Sequence, residues 1–264
     1  MSYPTRSPEM MRRIRLSQVK TPPIDPDAEL LALIETLYSN GILGCACAIK
    51  PVVGGQQILF QDAEATIPVA VDGDPVRVVL DLSGGENHLF APSSAARPTY
   101  RVINGIPRLR FDGVDDGLRT MNAVSFSTPY THGAAVIVTN YGGRIAADTD
   151  NLGGQLVMYD GRYGIYNGAF LYPTPTDVTV ANTIIATSNG ANSEIMVGRE
   201  GYTDSVVGDT GDRFTSLDGV AIGYRVFGNT LFADMDLFGF FFVNRALDDS
   251  EKGQLESYLV GVMP

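Results

Sequence analysis

Three acids within five positions, Asp112, Asp115 and Asp116, bring together the carboxylate oxygens that a hard cation such as Ca2+ prefers. The same residues also suit a turn, in which Asp side chains accept from nearby backbone N–H groups while Gly113 takes backbone angles other residues avoid. The turn is the preferred reading, with Ca2+ as the alternative. Asp148-Thr149-Asp150-Asn151 opens like a calcium loop too, but Leu152 falls at the third ligand position and no Glu closes the loop at the twelfth. His88, at the end of Ser83-Gly84-Gly85-Glu86-Asn87-His88, is expected to fix its loop by hydrogen bonds rather than to face a ligand.

A second chemistry is sugar recognition, in the stretch from Tyr159 through Asp160-Gly161-Arg162-Tyr163-Gly164-Ile165-Tyr166-Asn167 to Tyr172. Tyrosine rings stack on the apolar faces of sugars, and Arg and Asn bond hydroxyls from adjacent positions. Tyr159, Arg162, Tyr163, Tyr166 and Asn167 are therefore the candidate ligand-binding residues. Alternating aromatics are also the mark of cross-strand packing pairs, and the chain has no Trp, the strongest sugar platform. Catalysis has little to work with. There are only two histidines, His88 and His132, and no His-Glu-x-x-His, Gly-x-Ser-x-Gly or phosphate-cradling loop. An enzyme is not expected.

Gly (29) and Pro (15) are plentiful and charged residues make up only 19%, which favours short strands joined by tight turns. The clearest apolar runs are Ala134–Thr139, Gln155–Tyr159, Val180–Thr187, Ile195–Gly198, Val220–Val226 and Leu237–Val243. Asp160-Gly161, Asn167-Gly168 and Asn189-Gly190 punctuate them as hairpin turns would. With almost no helix between strands, this spacing predicts antiparallel sheets packed as a sandwich. Phe238, Phe240, Phe241 and Phe242 are too continuous for a half-exposed strand and belong to the core. Two helices are expected outside the strands. One starts at Pro26, carries Leu30, Leu33, Ile34 and Leu37 as an apolar stripe and stops at Asn40-Gly41; the other begins in an Asp248/Glu251 capping box.

The net charge of −11 argues against binding a nucleic-acid backbone. Residues 1–20 nevertheless carry +4, leaving −15 on the rest. A basic arm on an acidic body suggests docking to a neighbour; Arg6, Arg12, Arg13 and Arg15, with the Leu30, Leu33 and Leu37 stripe, are the expected contacts. The alternative is a solvated terminus. No run reaches the ~18 apolar residues of a membrane span, and no secretory leader is expected. Cys45 and Cys47 are expected to be free thiols, because a bridge closing so short a loop is strained.

Four segments, in order, resemble the LamG-type, concanavalin-A-like domains found in phage structural proteins and bacterial surface proteins. They are Phe60-Gln61-Asp62-Ala63 through Pro68-Val69 to Asp72-Gly73-Asp74-Pro75-Val76; Leu80-Asp81-Leu82-Ser83-Gly84-Gly85-Glu86-Asn87-His88; Leu109-Arg110-Phe111-Asp112-Gly113-Val114-Asp115-Asp116; and Phe240–Leu259 with its Arg245-Ala246-Leu247 phrase. The likeness covers roughly residues 57–260 and departs at Gly85-Glu86, where the family has Asn-Gly. It implies a two-sheet antiparallel jelly roll over 51–264, preceded by an extended arm (1–24) and a short helix with linker (25–50). It further implies a virion component assembled in the host cytoplasm: a tail, baseplate or head-decoration protein, expected to meet other virion proteins and further copies of itself. The alternative function is recognition of a host-surface glycan. Some enzymes of this fold carry Glu-x-Asp-x-x-Glu on one strand, and that string is absent.

Overall fold

Turn residues divide this chain into strands too short to stand alone, so each must find its backbone partners in a neighbour. The computed structural model describes residues 26–120, 125–139, 144–147, 154–159, 161–173, 177–199, 202–211, 216–217, 219–226 and 229–264. Among them, two large antiparallel sheets supply those partners. The first runs Tyr202–Gly208, Ser193–Arg199, Asn182–Ser188, Tyr130–Val138, Asp234–Val243, Ile106–Asp112, Thr99–Ile103. Gly44–Ala48 pairs with the stretch of Asp234–Val243 that Ile106–Asp112 leaves open. The second runs Phe170–Leu171, Arg162–Tyr166, Gln155–Tyr159, Arg144–Ala147, Ala221–Ile222, Leu118–Thr120, Leu89–Phe90, Val78–Val79, Leu59–Phe60. Phe111, Phe240 and Phe242 of the first and Leu89, Leu156 and Ile165 of the second join one buried core. The fold is an all-β sandwich of antiparallel sheets with two short helices, α1 (Pro26–Leu37) and α2 (Asp249–Gly261).

Helix α2 lies on the outer face of the first sheet, with α1 packed beside it, which explains the unbroken phenylalanines. Phe242 points inward, 4.6 Å from the Phe126 ring and 5.2 Å from His132. Phe241 points outward and meets Tyr258 of α2 edge-on at 5.6 Å. A strand covered on both faces reads as a continuous apolar run rather than an alternating one. Gly133 makes the close approach possible: a Cβ there would lie 2.7 Å from Leu255 of α2. The start of α2 carries the expected capping box, Asp248 accepting from the Glu251 N–H and Glu251 from that of Asp248. Arg245 grips Glu251 with both terminal nitrogens, each at 2.6 Å, and Nη2 also donates to the Leu37 carbonyl, meeting an orphan acceptor at the end of α1.

Two expectations change. Leu30, Leu33 and Leu37, expected to dock onto a neighbour, are 1%, 4% and 0% exposed in this chain's own core. A stripe on a single helix always has its own chain as a competing partner, and here that chain has won. The stretch before residue 51, read as a linker, holds the strand Gly44–Ala48, so the sandwich begins earlier than the motifs implied. That strand is invisible to alternation because Cys45, Ala46 and Cys47 are small and buried on both faces. Tyr38 packs over Gly44, its hydroxyl 3.0 Å from the carbonyls of Cys45 and Phe242. Both cysteines are free thiols, as expected, their Sγ atoms 3.3 Å apart.

Candidate functional site

The strands Gln155–Tyr159 and Arg162–Tyr166 form the expected hairpin, with Tyr159 opposite Arg162 and Gly161 at φ +70° in the turn. Period two then sorts the candidate residues onto opposite faces. Tyr163 and Ile165 point into the sandwich beside Leu156 and Met158, whereas Arg162, Gly164 and Tyr166 point out. Phe170 pairs with Tyr166 across the next strand and so shares its outer face. The result is a ladder of rings: Tyr166 to Phe170 at 4.6 Å, tilted 43°, and Phe170 to Tyr172 at 5.3 Å, nearly parallel at 16°. Gly164 lets Tyr172 lie flat against the strand, since a Cβ there would come within 2.4 Å of its ring.

Two of the expected ligand residues are corrected by this parity. Tyr163 is 1% exposed, and burial drives its phenol pKa upward; it is a core residue beside Asn182. Asn167 is also 1% exposed, held under the turn where Ala169 donates to the Thr210 carbonyl, with both ends of its amide unpartnered. Arg162 and Tyr166 are half-buried on the outer face, and the side chain of Tyr159 lies outside the described residues. Phe170 and Tyr172 were passed over as ligand residues. Counting by twos outward from Tyr166 and Gly164, with Ile165 taken as inward, would have found them. Further along the same face, Arg144 donates to Gln155 at 2.5 Å, and burial together with nearby Arg225 lowers its pKa.

The carboxylates of Asp112, Asp115 and Asp116 do converge, their oxygens within 4.8 Å of one another. Asp112 Oδ1 accepts from the N–H groups of Val114 and Asp115, and Asp116 Oδ2 accepts from that of Asp112. Burial first, and the charge of Asp112 second, push Asp116 up to about 7. The donors suit a hard cation by type. Two of the oxygens also accept from backbone N–H groups, as the turn reading expects. His88 likewise fixes its loop, Nδ1 accepting from the Asp81 N–H. The arginines of the proposed arm, Arg6, Arg12, Arg13 and Arg15, and the Asp148–Asn151 stretch lie outside the described residues.

No protein-family model matches the sequence, and no curated protein matches it. Solved structures do. A GH54 α-L-arabinofuranosidase mutant superposes with a TM-score of 0.62 at 11% identity, covering 87% of this chain and 64% of its own. An arabinofuranosidase complexed with arabinofuranosyl-α-1,2-xylobiose gives 0.59 at 9%, with the same coverage. The binding domain of Paraclostridial mosquitocidal protein 1 gives 0.46 at 15%, covering 68% of this chain. This chain thus spans between 49% and 64% of those chains. At such identities the likeness shows a shared β fold and nothing finer.

Proposed function

We propose that this chain is a concanavalin-A-like jelly-roll module that holds a glycan on the aromatic outer edge of its second sheet and catalyses nothing. The ladder of Tyr166, Phe170 and Tyr172 carries the reading: three rings share one face, and Phe170, the middle one, is 42% exposed. An apolar surface of rings on the same sheet face as Arg162 offers stacking to a sugar ring, with a guanidinium on that face for its hydroxyls. An oligosaccharide panel tests it, starting from arabinose-bearing fragments because one fold neighbour carries such a ligand. Phe170→Ser is expected to weaken a hit at least tenfold with an unchanged melting temperature. No hit at all, or a hit indifferent to Phe170→Ser, sinks the reading. A protonated acid beside two carboxylates does have the makings of a glycosidase pair. Against that, Asp112 is bonded to its own turn, and the two apolar grooves beside α2 are not lined by these acids. Release of reducing sugar from the same panel overturns the non-enzymatic part.

A second reading, which can hold together with the first, places the module in a bacteriophage particle as a tail, baseplate or decoration protein. The four ordered motifs support it. Their best-anchored residues, Asp81 and Asp112, work as loop and turn fasteners, so the resemblance speaks to scaffold and context rather than to ligand. Mass spectrometry of purified particles is expected to find the chain at a fixed stoichiometry; its absence from intact particles removes this reading.

A further inference from the structure

The outer face of the first sheet is covered by α2 only as far as the last turn of that helix. Next to that turn Ile137, Val180, Ala181, Arg199, Val260 and Met263 line an apolar groove of about 640 Å3. The helices run antiparallel: Arg245, bound to Glu251 in the first turn of α2, reaches Leu37 at the end of α1. At the other end, Glu29 and Leu33 of α1 share a cleft with Ser257 and Tyr258. The start of α1 therefore lies at the same end of α2 as the groove.

We propose that this groove is the seat of the chain's own leading segment, with Met10, Met11, Ile14 and Leu16 set into it. Reach favours this. Residues 20–25 span up to about 20 Å when extended, whereas the groove begins about one turn, ~5 Å, past Tyr258. So short a tether keeps the segment at an effective concentration on the order of millimolar, ahead of a neighbour's copy. Chemistry agrees at the groove, whose lining is apolar apart from Arg199 and so suits Met10, Met11, Ile14 and Leu16, while the charge balance favours association only over the whole chain, residues 1–20 carrying +4 against −15 on the rest. A segment seated this way has to be released before it can grip anything else.

The test uses the full chain carrying Ile14→Cys and Met263→Cys, treated with a short bis-maleimide. Cys45 and Cys47, 0% and 1% exposed, stay unlabelled. Crosslinking within one chain is expected at least tenfold faster than in a control that pairs Ile14→Cys with Val207→Cys. Val207 is 65% exposed and pairs with Glu194, the partner of Lys252, so it marks the opposite end of α2. Adding Met11→Asp and Leu16→Asp is expected to erase the advantage. Equal rates at both sites overturn the proposal. Crosslinks only between chains overturn it too, and assign the groove to the segment of a second copy.

Discussion

Replacing Asp81 by alanine is expected to cost about 4 kcal/mol of folding stability, since each buried N–H left without an acceptor costs roughly 1–3 kcal/mol. The carboxylate is 8% exposed and accepts four times, from the N–H groups of Ala46 (2.8 Å), Ser83 (2.8 Å) and Asn87 (2.9 Å) and from the Ser83 hydroxyl (2.7 Å). Ala46 belongs to the first sheet, whereas the loop 80–88 joins two strands of the second, so this one side chain fastens the sheets together at that end. Asn87 reinforces it by donating to the Gly44 carbonyl at 2.6 Å. Asp81→Asn keeps an oxygen for Ala46 and Ser83 but turns an N–H2 toward the Asn87 N–H, so it is expected to lose about half as much. Urea midpoints of the three proteins decide it. A loss under 1 kcal/mol for Asp81→Ala means the loop stands without its staple.

That staple shows what could be read in advance. The Leu80–His88 motif was recognisable as a phrase, and its residue types suit a hydrogen-bonded loop, yet nothing in it names Ala46 as the far partner. Long-range pairing is set by the whole sheet, not by local spacing. Helix α2 was legible to its capping box because capping is local. Gln155–Tyr159 was legible because turn residues bound it on one side and its pattern is clean. Tyr202–Gly208 was missed: an edge strand whose Thr203, Ser205 and Val207 face water has no apolar run to betray it. The hairpin joining Thr99–Ile103 to Ile106–Asp112 was missed for less cause. Asn104 and Gly105, at φ +55° and +79°, are an Asn-Gly turn between apolar neighbours.

The candidate site was half legible for a similar reason. Its hairpin was found, but residues were picked by type instead of by face. Tyr163 and Tyr166 look alike in a list of aromatics, while an odd separation of three along a strand puts them on opposite sides of the sheet. Burial then settles their roles: one fills the core and the other joins a surface ladder whose remaining rings come from a separate short strand. Leu30, Leu33 and Leu37 failed differently. A helix stripe announces that it will be covered and is silent about what covers it.

The second large effect concerns acid. His132 sits among the rings of Tyr130, Phe240 and Phe242, 2% exposed, and loss of water lowers it to about 3. The unfolded chain takes up that proton near pH 6.5 and the folded one does not, so the stability contributed by neutral His132 is complete above 6.5. It drains at about 1.4 kcal/mol per pH unit as pH falls toward 3. Asp116 has the opposite sign. Its folded pKa is raised to about 7, so the folded state keeps a proton that the unfolded chain gives up near 4, and stability falls as pH rises between those values. Exposed Asp112 and Asp115 leave that end open to water, which makes the full slope a ceiling for Asp116. Over about pH 4 to 6.5 the two slopes oppose each other and the native protein is expected to show only a shallow dependence. His132→Phe uncovers the Asp116 limb, so its urea midpoint rises relative to wild type on going from pH 6.5 to 4.5, by roughly 2 to 3 kcal/mol in stability. Asp116→Asn uncovers the His132 limb and shifts the opposite way by a smaller amount. Carboxylates held low by partners, such as Glu251 on Arg245, lose stability in acid equally in all three proteins and cancel in the differences. If His132→Phe runs parallel to wild type across that range, the imidazole is reached by water and the sandwich is looser at its centre than its packing implies.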